Sequence, residues 1–208
     1  MNHRPSELCL KLFLIISPVI ISGCGLEPYE KQQYILDVQR ASTASDIKNA
    51  SIIEVRRFTI NPAFSAKEIT YRTDRFEYES DYYNEFLIPP AVMITEKVRN
   101  WLSASGLSRR VLEPGSYVEP THIIEGNIVA LYGDYRDKSS PAAVMEIRIF
   151  LLKTKAVEAP AIVFGKTYKS TVRLESNGPE GLIAGFDKCL ENILTDMESD
   201  LSDKLTPN

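Results

Sequence analysis

In the stretch Met145-Glu146-Ile147-Arg148-Ile149-Phe150-Leu151, apolar side chains recur at every second position against Glu146 and Arg148. A period of two is typical of a strand that turns one face to a core and the other to water. The flanking stretches 121–133 and 161–174 are also strand-like, and the second of them alternates in the same way. We therefore predict an antiparallel meander of three long strands, 121–133, 143–154 and 161–174, with one apolar face.

Two amphipathic segments supply partners for that face. Residues 179–205 follow the breaker Ser176-Asn177-Gly178-Pro179 and repeat apolar side chains at helical spacing. The predicted stripe consists of Leu182, Ile183, Phe186, Cys189, Leu190, Ile193, Leu194, Met197 and Leu201. The other predicted helix begins at Pro89-Pro90, ends before Gly106, and places Ile94, Val98, Trp101, Leu102 and Ser105 on one side.

The remaining strand signals are shorter. They lie at 33–38, at 51–60, in a hairpin at 68–81 that turns near Thr73-Asp74, and at 108–112. A sheet with one apolar face and two helices with one apolar stripe each can bury these surfaces against one another in a two-layer arrangement. The predicted fold class is α+β, with two helices packed on one face of a mainly antiparallel sheet.

The N-terminal segment carries an export signal. A lead-in with Arg4 and Lys11 precedes a short apolar run that ends in Ile21-Ser22-Gly23-Cys24. The run is too short to span a bilayer, which needs about 20 apolar residues, and its pattern is that of a secretory signal peptide. A cysteine in an apolar run is often a small buried hydrophobe. At a cleavage site, however, the string resembles the lipobox of bacterial lipoproteins, in which the cysteine is acylated and becomes the first mature residue.

This interpretation sets the predicted organisation of the chain. Residues 1–23 are a cleaved signal peptide, residues 24–32 a lipidated tether that begins at Cys24, and residues 33–208 a single domain. Removal of the signal peptide leaves 185 of the 208 residues and moves the formal net charge from −4 to −5. An acidic chain is a poor nucleic-acid ligand. Gly25, rather than aspartate, at the position after the cysteine favours the outer membrane, with the domain on its periplasmic face.

The sequence contains no pattern typical of a catalytic, metal or cofactor site. His122, the single histidine of the mature chain, lies near a strand start, which makes an ordinary strand-edge residue the better interpretation. Gly165-Lys166-Thr167 lacks the upstream glycine of a phosphate-binding loop. Cys189 lies on the apolar stripe and is expected to be a core thiol rather than a redox centre. We predict a protein that is not an enzyme and that has no metal or cofactor.

A dense group of aromatic residues precedes the first helix, within Tyr71 to Phe86. Two adjacent tyrosines, Tyr82 and Tyr83, cannot both point inward on a regular strand. Exposed tyrosine is favoured at protein interfaces. Core packing and a partner surface both remain possible for this group, and the candidate partner surface consists of Tyr82, Tyr83, Asn84 and Phe86.

Several of these stretches resemble one family. The motifs are Thr70-Tyr71-Arg72, Asp81-Tyr82-Tyr83-Asn84-Glu85-Phe86, Pro89-Pro90, Trp101-Leu102, Ile124-Glu125-Gly126-Asn127-Ile128 and Leu131-Tyr132-Gly133-Asp134. They are similar to the ABC-type transport auxiliary lipoproteins of the paraquat-inducible protein C type. That resemblance implies a non-enzymatic component of an Mce-type lipid-transport system. Its implied partners are a periplasm-spanning Mce-domain protein and the associated ABC permease and ATPase.

Other functions stay open at this point. A stand-alone periplasmic lipoprotein for outer-membrane assembly or ligand binding would have the same anchor and the same fold class. A lipid-anchored hydrolase is a weaker alternative, because no nucleophile elbow is present. A homo-oligomer is possible with any of these functions.

Overall fold

The computed structural model describes residues 30–42, 44, 46–47, 49–155 and 157–205. The strands are β1 (Gln32–Tyr34), β2 (Ile52–Val55), β3 (Thr59–Ile60), β4 (Glu68–Arg72), β5 (Tyr78–Phe86), β6 (Arg110–Leu112), β7 (His122–Asp134), β8 (Ala142–Lys153) and β9 (Ala161–Arg173). The helices are α1 (Pro90–Ser105) and α2 (Pro179–Leu205), with a short 3-10 helix at Pro62–Phe64 between β3 and β4.

Strand β7 organises the sheet. On one side it pairs along its length with β8, which pairs in turn with β9, and both ladders are antiparallel. Its other side is shared by three short parallel partners, β2 near His122, β3 near Asn127 and β4 at Gly133. Strand β6 extends the sheet from β2, while β5 and β1 extend it from β4. The predicted meander and the predicted α+β fold class are confirmed.

Both helices cover the same face of the sheet through the predicted apolar stripes. All nine predicted stripe residues of α2 are buried, and so are the five predicted for α1. Two small residues let α2 approach the sheet closely, since a Cβ atom on Gly133 would lie 2.8 Å from Leu182 and one on Gly185 would lie 2.8 Å from Ala143. Helix α1 ends, as predicted, at Gly106, whose φ of 68° is the left-handed conformation that glycine adopts most readily.

The predicted strand 51–60 is wrong as a single element, because it is two strands. Phe58 interrupts it: its backbone N–H leaves the ladder and donates to Thr95 Oγ1 on α1, at 3.0 Å. The Phe58 ring then lies over Gly126 of β7, where a Cβ atom would approach it to 2.4 Å. The aromatic side chain therefore fills the core at the point where regular pairing stops.

The predicted first strand and the predicted hairpin differ from the structure in extent. Strand β1 ends at Tyr34, and residues 35–42 then cross the helices: the Leu36 N–H approaches Met93 Sδ at 3.3 Å, and Arg40 pairs with Glu198 of α2 at 2.9 Å. The hairpin does not end near residue 81, because β5 continues to Phe86. It is held there between β4, its predicted hairpin partner, and β1, a neighbour that sequence periodicity alone does not reveal.

Candidate partner-binding site

The tyrosine-rich segment lies on a bulge of β5. Glu68 of β4 faces Glu85 of β5, and Thr70 faces Ser80. A single β4 residue, Ile69, therefore lies opposite the four residues 81–84. We call residues 81–84 the Asp81 bulge. Extra residues in one strand of an antiparallel pair break the regular alternation and redirect side chains.

One carboxylate organises the bulge. Asp81 Oδ1 accepts hydrogen bonds from the backbone N–H groups of Tyr83 (2.9 Å) and Asn84 (3.0 Å). Asp81 Oδ2 accepts from the Tyr71 hydroxyl (2.8 Å) and from Asn84 Nδ2 (2.9 Å). An aspartate that binds backbone N–H groups two and three residues on stabilises a local turn. Here it turns the backbone out of the ladder for the length of the bulge.

The protonation equilibria of this group follow from these contacts. Burial alone would raise the pKa of Asp81, but the hydrogen bonds from Tyr71, Tyr83 and Asn84 outweigh burial and lower it. Burial, together with the hydrogen bond to Asp81, raises the pKa of Tyr71 well above its usual range. At neutral pH the pair is therefore an ionised carboxylate and a neutral phenol, which is the combination that holds the bulge.

The bulge presents two adjacent tyrosines to solvent. Tyr82 is 72% exposed and Tyr83 is 42% exposed. Their rings meet edge to face, with centroids 5.1 Å apart and an interplanar angle of 89°. Lys31 Nζ lies 5.3 Å from the centroid of the Tyr82 ring, within the range of a cation–π contact. The result is an amphipathic patch, apolar on the ring faces and polar at both hydroxyls.

The neighbouring Glu85 ties the N-terminal strand to this patch. Its carboxylate accepts from Gln33 Nε2 at 2.8 Å and from Lys31 Nζ at 3.0 Å, and it also lies 3.4 Å from Lys67 Nζ. The hydrogen bonds from Gln33 and Lys31 lower the pKa of Glu85 to about 2. Lys31 therefore serves two neighbours, the carboxylate of Glu85 and the ring of Tyr82.

The four residues predicted as a partner surface divide into two pairs. Tyr82 and Tyr83 are exposed, as a surface requires. Asn84 is partly buried and already bonded, since its side chain donates to Asp81 and accepts from the Tyr34 hydroxyl at 3.2 Å. Phe86 is 2% exposed and lies 6.2 Å from the ring of Phe186, so its assignment to the surface is wrong. It belongs to the core because β5 regains its regular register after the bulge.

Sequence reasoning missed Asp81 and Lys31 as parts of this site. Aspartate is depleted in strand interiors, so an aspartate inside a strand-like aromatic run was itself a signal for a turn or bulge. Nothing in the local pattern indicates Lys31, because it approaches Tyr82 only through the pairing of β1 with β5.

The other singled-out residues have ordinary surroundings. At the start of β7, Nδ1 of the half-buried His122 lies 3.0 Å from Thr121 Oγ1. Burial, together with the nearby Lys153, lowers the pKa of His122. The Cys189 thiol is fully buried and approaches the carbonyl of Ala143 at 3.4 Å. Within the described residues, no three histidine, cysteine or acidic side chains are placed to hold a metal ion. Cys24 and residues 1–23 lie outside the described part of the chain.

Grooves on the described surface are lined by both polar and apolar side chains. One of them has a volume of about 800 Å³, is lined by residues that include Thr121, His122 and Lys153, and lies at the end of the sheet where β7 begins. Small-molecule sites are mostly apolar with a few polar groups, and this groove does not have that character. Across the described residues, no helix is both long and apolar enough to cross a membrane.

A family comparison decides the relationship. The model of the ABC-type transport auxiliary lipoprotein component matches residues 34–198, which include α1, most of α2 and the Asp81 bulge. The chain belongs to this family. Membership confirms the predicted resemblance and makes the protein an auxiliary component of ABC-type transport from a family of lipoproteins. No curated protein sequence matches the chain.

Solved structures agree on the fold of this family member. Protein XCC0632 from Xanthomonas campestris, assigned to the family DUF330, is 17% identical with a TM-score of 0.72, and the match covers 84% of this chain and all of that one. An uncharacterised protein is 11% identical with a TM-score of 0.62, covering 85% and 99% of the two chains. Hypothetical protein CT253 from Chlamydia trachomatis is 8% identical with a TM-score of 0.50, covering 74% and 98%. At these identities the likeness concerns the fold alone.

Proposed function

We propose that this auxiliary lipoprotein is anchored through Cys24 to the periplasmic face of the outer membrane. There it docks the periplasm-spanning Mce-domain protein of an ABC lipid-transport system and catalyses no reaction itself. We infer the docking role from the exposed pair Tyr82 and Tyr83 on the Asp81 bulge. Family membership supports the transport role, and the sequence around Cys24 supports the anchor.

The bulge has the physical character of a docking site. Tyrosine gives a large contact area at a small cost in conformational entropy, because it has only two side-chain torsions. Beneath the two rings, Asp81 already accepts four hydrogen bonds, two from backbone N–H groups and two from side chains. A preformed surface loses less freedom on binding, and this favours affinity. The edge-to-face contact between the two rings restricts them further.

The anchor is tested with Cys24→Ala. The protein is expressed in cells supplied with a clickable fatty acid, and its labelling and its membrane fraction are compared with wild type. We expect the variant to lose the label and to remain unprocessed or soluble in the periplasm. Equal labelling of variant and wild type would contradict the anchor.

The docking role is tested by affinity capture of the tagged, full-length lipoprotein from gently solubilised membranes, followed by mass spectrometry. We expect an Mce-domain protein and its permease and ATPase to co-purify. Capture of the intact lipoprotein without them, from cells in which they are expressed, would contradict the proposal.

A further inference from the structure

The turn between β4 and β5, residues 73–77, presents an unusual side chain. Phe76 is 85% exposed, and the Arg75 guanidinium lies 4.9 Å from the centroid of its ring. The turn is held by a hydrogen bond from the Thr73 N–H to the Glu77 carbonyl (3.1 Å) and by one from Arg72 Nη2 to the Arg75 carbonyl (2.7 Å). We call residues 73–77 the hairpin tip. It displays an apolar ring, with a cation beside it, on a fixed turn.

The direction of β1 shows which end of this strand lies nearer the hairpin tip. Strands β1 and β5 are parallel, with Gln32 opposite Asn84 and Tyr34 opposite Phe86. Because β5 runs away from the hairpin tip, the first residue of β1 lies at the end of the strand nearer the tip. Lys31 already follows this direction, since it lies against Tyr82 rather than beyond Phe86.

The distance between Cys24 and β1 is enough to reach the level of the tip. Cys24 and Lys31 are seven residue steps apart along the chain, and at most about 3.6 Å per step these span about 25 Å. From the level of Glu85 to that of Tyr78 the sheet advances four β4 residues, or about 13 Å at strand rise. The tip adds about 7 Å beyond Tyr78 at the same rise. A lipid bound at Cys24 can therefore lie in the plane that the tip touches.

We propose that the hairpin tip rests on the lipid surface, with the Phe76 ring at the boundary between headgroups and acyl chains. This inference depends on the acylation of Cys24 in the proposed function. Burial of an aromatic ring at that boundary is favourable, while the Arg75 guanidinium can stay solvated by headgroups and water. The contact is a second membrane signal that orients the domain. Tyr82 and Tyr83 lie farther along β5, away from this lipid contact.

The opposite end of the sheet offers a natural control. The connection between β6 and β7 carries the exposed Tyr117 and Glu119, and it lies where β7 begins. Strand β4 pairs with the end of β7, at Gly133 and Asp134, so the hairpin tip and this connection are at opposite ends of β7. A lipid surface that touches one of them cannot touch the other on the same molecule.

The test places an environment-sensitive NBD probe on the full-length lipoprotein in vesicles of phosphatidylethanolamine and phosphatidylglycerol. The probe is attached through Glu77→Cys at the tip or through Glu119→Cys as the matched control. Cys189 is fully buried, and an acylated Cys24 does not react. Aqueous dithionite reduces accessible NBD. We expect several-fold slower reduction and a blue-shifted emission at position 77, and rapid reduction at position 119. Adding Phe76→Ser to Glu77→Cys should remove most of this protection.

The outcomes separate the membrane contact from the anchor. If the protein floats with vesicles but positions 77 and 119 are equally accessible, or if Phe76→Ser changes nothing, the contact is overturned while the anchor stands. If position 77 is accessible in vesicles and shielded only in native membranes, the tip binds a protein and the lipid contact is overturned. If the chain does not float and carries no fatty acid, the anchor fails and the inference fails with it.

Discussion

The apolar stripe of α2 that packs on the sheet, which we call the α2 seam, and the Asp81 bulge are stabilised in different ways. Along α2, nine apolar side chains are buried together, so each contributes a share of one continuous contact with the sheet. In the bulge, a single carboxylate accepts four hydrogen bonds and determines where two tyrosines point. The contact of α2 with the sheet therefore provides stability, while the bulge provides a surface at little cost in stability to the rest of the fold.

The largest loss of stability is expected in the seam. Phe186 is 1% exposed and lies against Phe86 from β5. Phe186→Ala should lower the free energy of unfolding by about 3–5 kcal/mol, through lost burial and the cavity that remains. Denaturant unfolding measures this change in the free energy of unfolding. The control is Lys188→Ala on the exposed side of α2, which should change the free energy by less than about 0.5 kcal/mol. An unchanged midpoint for Phe186→Ala would mean that α2 does not pack as described.

A smaller effect is expected where β7 accommodates Phe58. Gly126→Ala would place a Cβ atom 2.4 Å from the Phe58 ring, so the ring or the strand must shift. Overpacking of this kind costs about 1–3 kcal/mol. The double variant with Phe58→Leu makes room for the methyl group and should lose less stability than the sum of the two single variants. Additive losses would show that the two residues are not in contact.

The smallest loss of stability is expected in the bulge, and it depends on pH. Asp81→Asn should destabilise the protein by about 1–2 kcal/mol at pH 7, because hydrogen bonds to an ionised acceptor are lost. The folded-state pKa of Asp81 is lowered, so its contribution is complete above the unfolded value near 3.9 and disappears as the pH falls through the folded value. Wild type and variant should therefore converge in acid.

Urea unfolding at several pH values measures that convergence. The matched control is Glu79→Gln, an exposed carboxylate on the same strand, for which we expect no comparable effect at any pH. A gap between wild type and Asp81→Asn that does not narrow as the pH falls below the unfolded-state pKa near 3.9 would contradict the assigned role of the carboxylate.

The same difference between α2 and the bulge determines what could be predicted from sequence. The stripe of α2 was predictable because burial along a helix follows a period that is written in the chain itself. The position of Phe86 was not, because the Asp81 bulge shifts the register of β5 and thereby returns Phe86 to the core. The break at Phe58 was missed for a similar reason, since its N–H finds Thr95 on a helix that comes more than thirty residues later.

The site was partly predictable in the same sense. Adjacent tyrosines indicated that the strand could not be regular, and both tyrosines are exposed. The roles of Asp81, Lys31 and Glu85 depend on three strands meeting, β1, β4 and β5, two of which pair in parallel. Parallel pairing joins residues about fifty positions apart and leaves no local pattern.

The docking role is tested most directly by the affinity of the Mce-domain partner for the double variant Tyr82→Ser/Tyr83→Ser. Tyr117→Ser is the control for loss of an exposed tyrosine. We expect the double variant to melt within a few degrees of wild type, because both side chains are exposed. Its affinity should fall by a factor of about 30 or more, since truncation of an interface anchor costs about 2 kcal/mol or more. Tyr117→Ser should bind as wild type does. A folded double variant that binds the partner at wild-type affinity would contradict the assignment of the bulge as the docking site.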